Sequence, residues 1–133
     1  RENLALYAEL YGLPDAQTRV AQLAERFGLG SWAERPARTY SRGQLQRVSL
    51  SRAVLHAPRL LLLDEPSTGL DHASTERLVT AVREERERGA IVVMVTHDSA
   101  LCDALADHRL ELAQGRVRDA SANTNASTGK ALA

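Results

Sequence analysis

The run Leu60-Leu61-Leu62-Leu63-Asp64-Glu65 restricts the possible folds of this chain most sharply. Consecutive leucines put apolar side chains on both faces of an extended strand, which is stable where both faces are covered, as in a parallel sheet flanked by helices. Pro58 precedes the run and Pro66 stops it. Asp64 and Glu65 therefore stand at the carboxyl end of a buried strand, where open α/β sheets hold their ligands. One acid there can serve a metal and the other a proton. Ala90 to Val95 reads as a second, β-branched strand, and it delivers His97 to the same sheet edge as Glu65.

Upstream, the period is helical. Leu4, Tyr7, Ala8 and Tyr11 share one face of a helix over Asn3 to Tyr11 that stops at Gly12 and Pro14. A second helix, with Asp15 as its cap, buries Val20, Leu23, Ala24 and Phe27 and ends at Gly28. The connection from Ser31 to Thr39 has no sustained period, and Trp32 within it reads as a packing anchor. A third helix spans about Arg42 to His56, with Leu50, Ala53 and Val54 facing inward and Arg47 and Arg52 at the margin. Ser41, Arg42, Gly43 and Gln44 stand at its start, where free backbone N–H groups and the helix dipole favour an anion such as phosphate.

Downstream, Asp71 caps a helix whose inner face is Thr75, Leu78, Val79 and Val82, and the charged run from Arg83 to Arg88 reads as its solvated end. Asp98 to Ala106 reads as a short helix. Leu110 to Leu112 and Gly115 to Val117 form strands around a turn at Gln114-Gly115. From Asp119 the composition shifts to Ala, Ser, Asn and Thr, the signature of a disordered tail. Strands alternating with helices make the fold α/β with a mainly parallel sheet.

The 17 basic and 17 acidic residues cancel, which gives no support to nucleic-acid binding. The single Cys102 forbids an internal disulfide and suits an intracellular home. No apolar run approaches the ~18 residues of a membrane span. No His, Cys and Asp spacing suggests a transition-metal site, and His56, His72 and His108 read as structural or exposed.

With these residues in view, the chain resembles the ATP-binding subunit of an ABC transporter. Tyr40-Ser41-Arg42-Gly43-Gln44 resembles the LSGGQ signature, with Arg42 in a place that is often glycine. Leu60 to Glu65 resembles the Walker B strand, Thr68-Gly69-Leu70-Asp71 the D-loop, and Thr96-His97-Asp98 the H-loop. The motifs stand in family order over residues 1–118, which correspond to the second half of the family's domain: 1–39 to part of a helical subdomain, and 40–118 to the stretch from signature to terminal strands, with 119–133 as the tail. The implied fold is P-loop NTPase-like, truncated, with its phosphate-loop part absent. Nothing in the sequence fits GxxxxGK[ST], the loop that cradles nucleotide phosphates. Ser127-Thr128-Gly129-Lys130-Ala131 has Thr124 in place of the first glycine and Ala131 in place of the hydroxyl. The chain does not begin with Met and is expected to be a fragment that starts just after the family's glutamine loop.

The resemblance implies ATP and Mg2+ as cofactors and assigns roles residue by residue. Asp64 would hold Mg2+ through water, and Glu65 would polarise the attacking water as general base. His97 would hydrogen-bond the γ-phosphate, while Ser41, Gly43 and Gln44 would cover the γ-phosphate of a nucleotide held by the opposite subunit; Asp71 would also act across that interface. Implied partners are transmembrane permease subunits and a second ATP-binding subunit in a head-to-tail dimer, with the protein cytoplasmic, on the inner face of the cell membrane. The fragment alone is expected to be inactive.

Within the family the chain looks most like the exporter branch that includes drug-resistance ATPases and the cytochrome c biogenesis haem exporter. A soluble ABC protein of DNA repair or translation is an alternative, without the coiled-coil insertions or basic extensions that would favour it. A non-catalytic module that grips a partner with its helical hairpin is another. Taken singly, an Asp-Glu pair after a strand also suits a turn with a helix cap. Without upstream strands, those at Leu60 and Ile91 should leave apolar surface exposed.

Overall fold

The computed structural model describes residues 1–122. They divide into two compact units, residues 1–96 and 97–133, of which the second is described to Ala122. The first unit holds α1 (Glu2–Leu10), α2 (Ala16–Arg26), 3-10 turns at Ser31–Glu34 and Ala37–Thr39, α3 (Arg42–Val54), β1 (Leu60–Asp64), α4 (His72–Glu87) and β2 (Ile91–Val95). The second holds α5 (Ser99–Leu105), β3 (His108–Ala113) and β4 (Arg116–Ala122).

Helical period places Leu4 and Ala8 of α1 and Val20, Leu23 and Ala24 of α2 in the core, together with Phe27 and Leu29 beyond the end of α2. Asp15 precedes α2 but does not cap it with its side chain, and its φ of 55° puts it in the left-handed region. The α1–α3 junction is aromatic and cationic. Tyr11 stacks on His56 at 4.4 Å, and the Arg52 guanidinium lies 4.8 Å from the Tyr7 ring centre. Trp32 is the packing anchor expected, edge-on to Tyr40 at 5.0 Å with Arg47 over its ring.

β1 and β2 pair in parallel, Leu60 with Ile91 through Asp64 with Val95. Among the described residues only one face of β1 is covered: Leu61 and Leu63 are buried, whereas Leu60 and Leu62 are exposed. That corrects the reading of a strand buried on both sides. Leu62 and Ile91 are each 66% exposed, and Val93 and Val95 join them, so the apolar surface expected at these strands is present. The covered face rests on Leu50, Val54, Leu78, Ala81 and Val82.

The inner face of α4 is Ser74, Leu78, Ala81, Val82 and Glu85, with Thr75 and Val79 only half-buried. Glu85 lies inside the run read as solvated, yet it is fully buried. Its Oε1 accepts from Arg26 Nη1 at 3.0 Å and its Oε2 from Arg88 Nη2. Arg26 also donates to the Ala81 carbonyl at 2.9 Å and pairs with Glu84, so one guanidinium fastens α2 to α4.

In the second unit Asp98 caps α5 by accepting from the Leu101 amide at 3.1 Å. β3 and β4 form an antiparallel hairpin, separate from the β1–β2 pair. Its turn puts Gln114 and Gly115 at φ 51° and 72°, the left-handed pair that a two-residue hairpin requires. β4 runs to Ala122, so residues 119–122, assigned to the tail from composition, are strand; the remainder of that stretch, 123–133, lies outside the described residues.

Candidate functional site

Two chain segments build the site in the first unit. The first is the start of α3, where Ser41 and Gln44 form a capping box: Ser41 Oγ accepts from the Gln44 amide at 3.2 Å, and Gln44 Oε1 accepts from the Ser41 amide at 3.0 Å. These bonds use acceptors. The Ser41 O–H and Gln44 NH2 remain as donors, beside first-turn amides of Arg42 and Gly43 that the helix's own ladder does not use. The result is a cluster of hydrogen-bond donors at the positive end of a helix dipole, chemistry that suits an anion.

The second segment is the turn from Asp64 to Asp71. Asp64 is exposed at the end of β1 and Glu65 is half-buried. Glu65 has a φ of 44°, uncommon for a residue with a Cβ, and the turn is held there by hydrogen bonds on both sides. Its amide donates to the Val95 carbonyl at 2.8 Å, and its carbonyl accepts from Thr68 at 3.1 Å. Gln46 of α3 donates to the Pro66 carbonyl at 3.1 Å, which ties the turn to the signature helix. Neither the conformation of Glu65 nor the contact of Gln46 had a signal in the sequence.

The segments touch at their glycines. A Cβ on Gly43 would lie 2.4 Å from the Gly69 carbonyl oxygen, and one on Gly69 would meet the Arg42 stem at 3.2 Å. Gly43 is thus required for backbone approach within one chain, and Arg42, where the family pattern often has glycine, covers Gly69. Gly43→Ala should force the turn away from α3 and lower stability by about 1–3 kcal/mol, read by urea denaturation; an unchanged midpoint would show that the turn gives freely.

Asp71 caps α4, its Oδ1 accepting from the Ser74 amide at 2.8 Å. The Ser74 side chain and then its amide, with smaller help from Arg47 and Arg77, hold the Asp71 carboxyl below the ordinary value of 3.8. Because the folded value is depressed, the cap's contribution is present above the unfolded value and lost as pH falls through the folded one. The first turn of α4 should therefore fray below pH 3.8, following the Ser74 amide resonance, and Asp71→Asn should remove that pH dependence.

The contacts of Gly43 with Gly69 and of Gln46 with Pro66 set the start of α3 beside the turn that runs from Asp64 to Asp71. His97 opens the second unit, two residues after β2 ends. Among the described residues no group of three or more His, Cys, Asp and Glu could cage a metal ion. Mg2+ needs no such cage, since it keeps several waters and binds through one or two carboxylates and substrate phosphates, so Asp64 fits that role. No helix of the described residues is long and apolar enough to cross a membrane.

The ABC transporter family model matches residues 1–68. The chain is 50% identical over 97 residues to the cytochrome c biogenesis ATP-binding export protein CcmA 2 of Cupriavidus metallidurans, covering 72% of this chain and 46% of that protein. It is 42% identical over 118 residues to the Fe(3+) ions import ATP-binding protein FbpC of Streptomyces coelicolor, covering 86% and 34%. Among solved structures it superposes with a TM-score of 0.74 and 26% identity on the dimeric post-hydrolysis ATP-binding cassette MJ0796 bound to ADP and Pi, covering 82% of this chain and 47% of that one. The chain thus spans less than half the length of each of these proteins.

These likenesses define the fold class as that of P-loop ATP-binding domains, with the helical pair α1–α2 ahead of the signature helix. The chain belongs to the ABC transporter family.

Proposed function

We propose that this chain contributes the signature-bearing part of an ABC transporter ATPase, which hydrolyses Mg-ATP and powers export through separate membrane subunits at the inner face of the cell membrane. The observation that carries the reading is the packing of Gly43 on the Gly69 carbonyl, which sets the anion-directed start of α3 beside the turn of Asp64, Glu65 and Asp71. Export is favoured by the 50% identity to an export protein; the likeness to an iron importer makes import the second reading.

When bound, Mg2+ supplies charge neutralisation at the β- and γ-phosphates. Asp64 would hold it through water. Glu65 would accept a proton from the attacking water, and His97 would donate a hydrogen bond to the γ-phosphate. Ser41, Gly43 and Gln44 would cover the γ-phosphate of a nucleotide seated on a second ATP-binding subunit, with Asp71 working across the same head-to-tail interface. Residues 1–118 would form one portion of that ATPase domain. The dimeric state of the cassette matched above supports this arrangement.

The test is a Mg-ATP titration of the 133-residue chain, followed by Trp32 fluorescence and calorimetry, then repeated after the chain is joined to a segment bearing a GxxxxGK[ST] loop. Binding and turnover should appear only in the joined protein. Micromolar binding by the chain alone, or a folded joined protein with no turnover, would overturn the reading.

A further inference from the structure

Gly69 is held at φ 79°, in the left-handed region, within the short segment that leads from the end of β1 to α4. It is itself exposed, so no burial of its own fixes it there. Two neighbours from the first turn of α3 stand against it. One is Gly43, where a Cβ would come within 2.4 Å of the Gly69 carbonyl oxygen. The other is the side chain of Arg42: a Cβ built on Gly69 would lie 3.2 Å from Arg42 Cγ, 3.4 Å from Cδ and 3.7 Å from Cβ.

Each of those Arg42 atoms is carbon, so the contact is made by the aliphatic stem and not by the guanidinium. Arg42 is exposed, which lets the charged head stay in water while the stem lies along the turn. Dispersion contacts of this kind are individually small, and they are lost outright when the atoms on one side are removed. The residue type at position 42 therefore sets how firmly the segment is held. Glycine there has no stem and alanine has only the Cβ, the farthest of the three atoms, whereas lysine and methionine carry unbranched chains of similar reach.

The segment's own bonds are local. The Thr68 amide donates to the Glu65 carbonyl at 3.1 Å and the Leu70 amide to the Ser67 carbonyl at 3.0 Å, while Asp71 is fixed from the side of α4 by its cap. Gly69 lies between these ties, and glycine has more backbone freedom to lose there than any other residue.

We propose that Arg42 is a positioning residue whose aliphatic stem, and not its charge, clips Gly69 to the start of α3 and so fixes the path of the chain from Thr68 to Asp71. The clip acts within one chain and needs no nucleotide. Its effect on turnover rests on the function proposed above, in which Asp71 works across the subunit interface: a misplaced segment slows the chemistry more than it weakens nucleotide binding.

The test compares Arg42→Ala, Arg42→Met and Arg42→Lys in the 133-residue chain by hydrogen exchange at the Thr68 and Leu70 amides. The Ala90 amide, bonded to the Glu85 carbonyl at 3.0 Å away from the turn, serves as the reference. Arg42→Ala should speed exchange at Thr68 and Leu70 by about five-fold and leave Ala90 unchanged, and both Met and Lys should restore most of the protection. In the joined protein Arg42→Ala should lower kcat by about ten-fold with little change in KM for Mg-ATP, and Arg42→Met should recover most of it. Unchanged exchange in Arg42→Ala, an equal rise at Ala90, or rescue by Lys but not by Met would overturn the clip. A kcat unaffected by Arg42→Ala would overturn its catalytic consequence. Absence of turnover in the joined parent, with the exchange pattern as expected, would count against the proposed function and leave the clip standing.

Discussion

Arg26→Met should lower the unfolding free energy by about 3–5 kcal/mol, because it leaves a buried carboxylate with half of its partners. Glu85 is fully buried, and Arg26 is 22% exposed, so neither charge can recover full hydration once its partner is gone. Arg88 remains on the Glu85 Oε2, which should hold the loss toward the lower end of that range. The Arg26 contacts to the Ala81 carbonyl and Glu84 go with it, so α2 separates from α4 at that point. Urea unfolding of the single variant and of Arg26→Met/Glu85→Leu measures the effect. The double variant should regain most of the loss, since an apolar pair avoids the desolvation that the ions incur. A loss under about 1 kcal/mol for Arg26→Met, typical of an exposed ion pair, would show that Glu85 is hydrated in solution.

Glu65→Gln should lower ATP turnover of the joined protein by about 10²–10⁴-fold, the usual contribution of a general base, with Mg-ATP binding unchanged. The amide keeps the shape and the backbone conformation of Glu65 but has no basic oxygen to take a proton from water. Because the variant differs at the proton-accepting atom and nowhere else, a fall in turnover without a change in affinity separates chemistry from positioning. Single-turnover kinetics with a parallel binding titration makes the measurement. A fall smaller than about ten-fold would move the base to another residue.

The strands, the helices and the motif order were legible because they depend on local pattern. The leucine run, the β-branched run before His97 and the helical spacing of Leu4 and Ala8 or of Val20 and Leu23 each encode a conformation that neighbours in sequence already favour. Ser41 to Gln44 stood at the start of a helical period, and the structure closes that start with a capping box between Ser41 and Gln44. Even the burial of Glu85 carried a signal: it continues the period of Leu78, Ala81 and Val82, but its charge pointed outward, and that reading was wrong. The partner that decides the matter, Arg26, lies 59 residues away.

Local composition also misled where a neighbour was needed to settle the outcome. Asp119 to Ala122 looked like tail because Ser, Ala and Asp have little strand preference, yet β3 offers these residues a ladder. Leu60 to Leu63 looked buried on both faces because the run is apolar throughout; which faces are covered depends on what packs there, and the described elements cover one. The sequence alone therefore determined the elements, the acids at the strand end and the family to which the chain belongs. Tertiary structure decided that Gly43 abuts Gly69, that Glu65 adopts a left-handed backbone, and that the Arg42 stem lies against Gly69. The physical reason is separation along the chain: periodicity and caps arise between residues three or four apart, whereas steric clearance and charge pairing arise between segments that only the packed chain brings together.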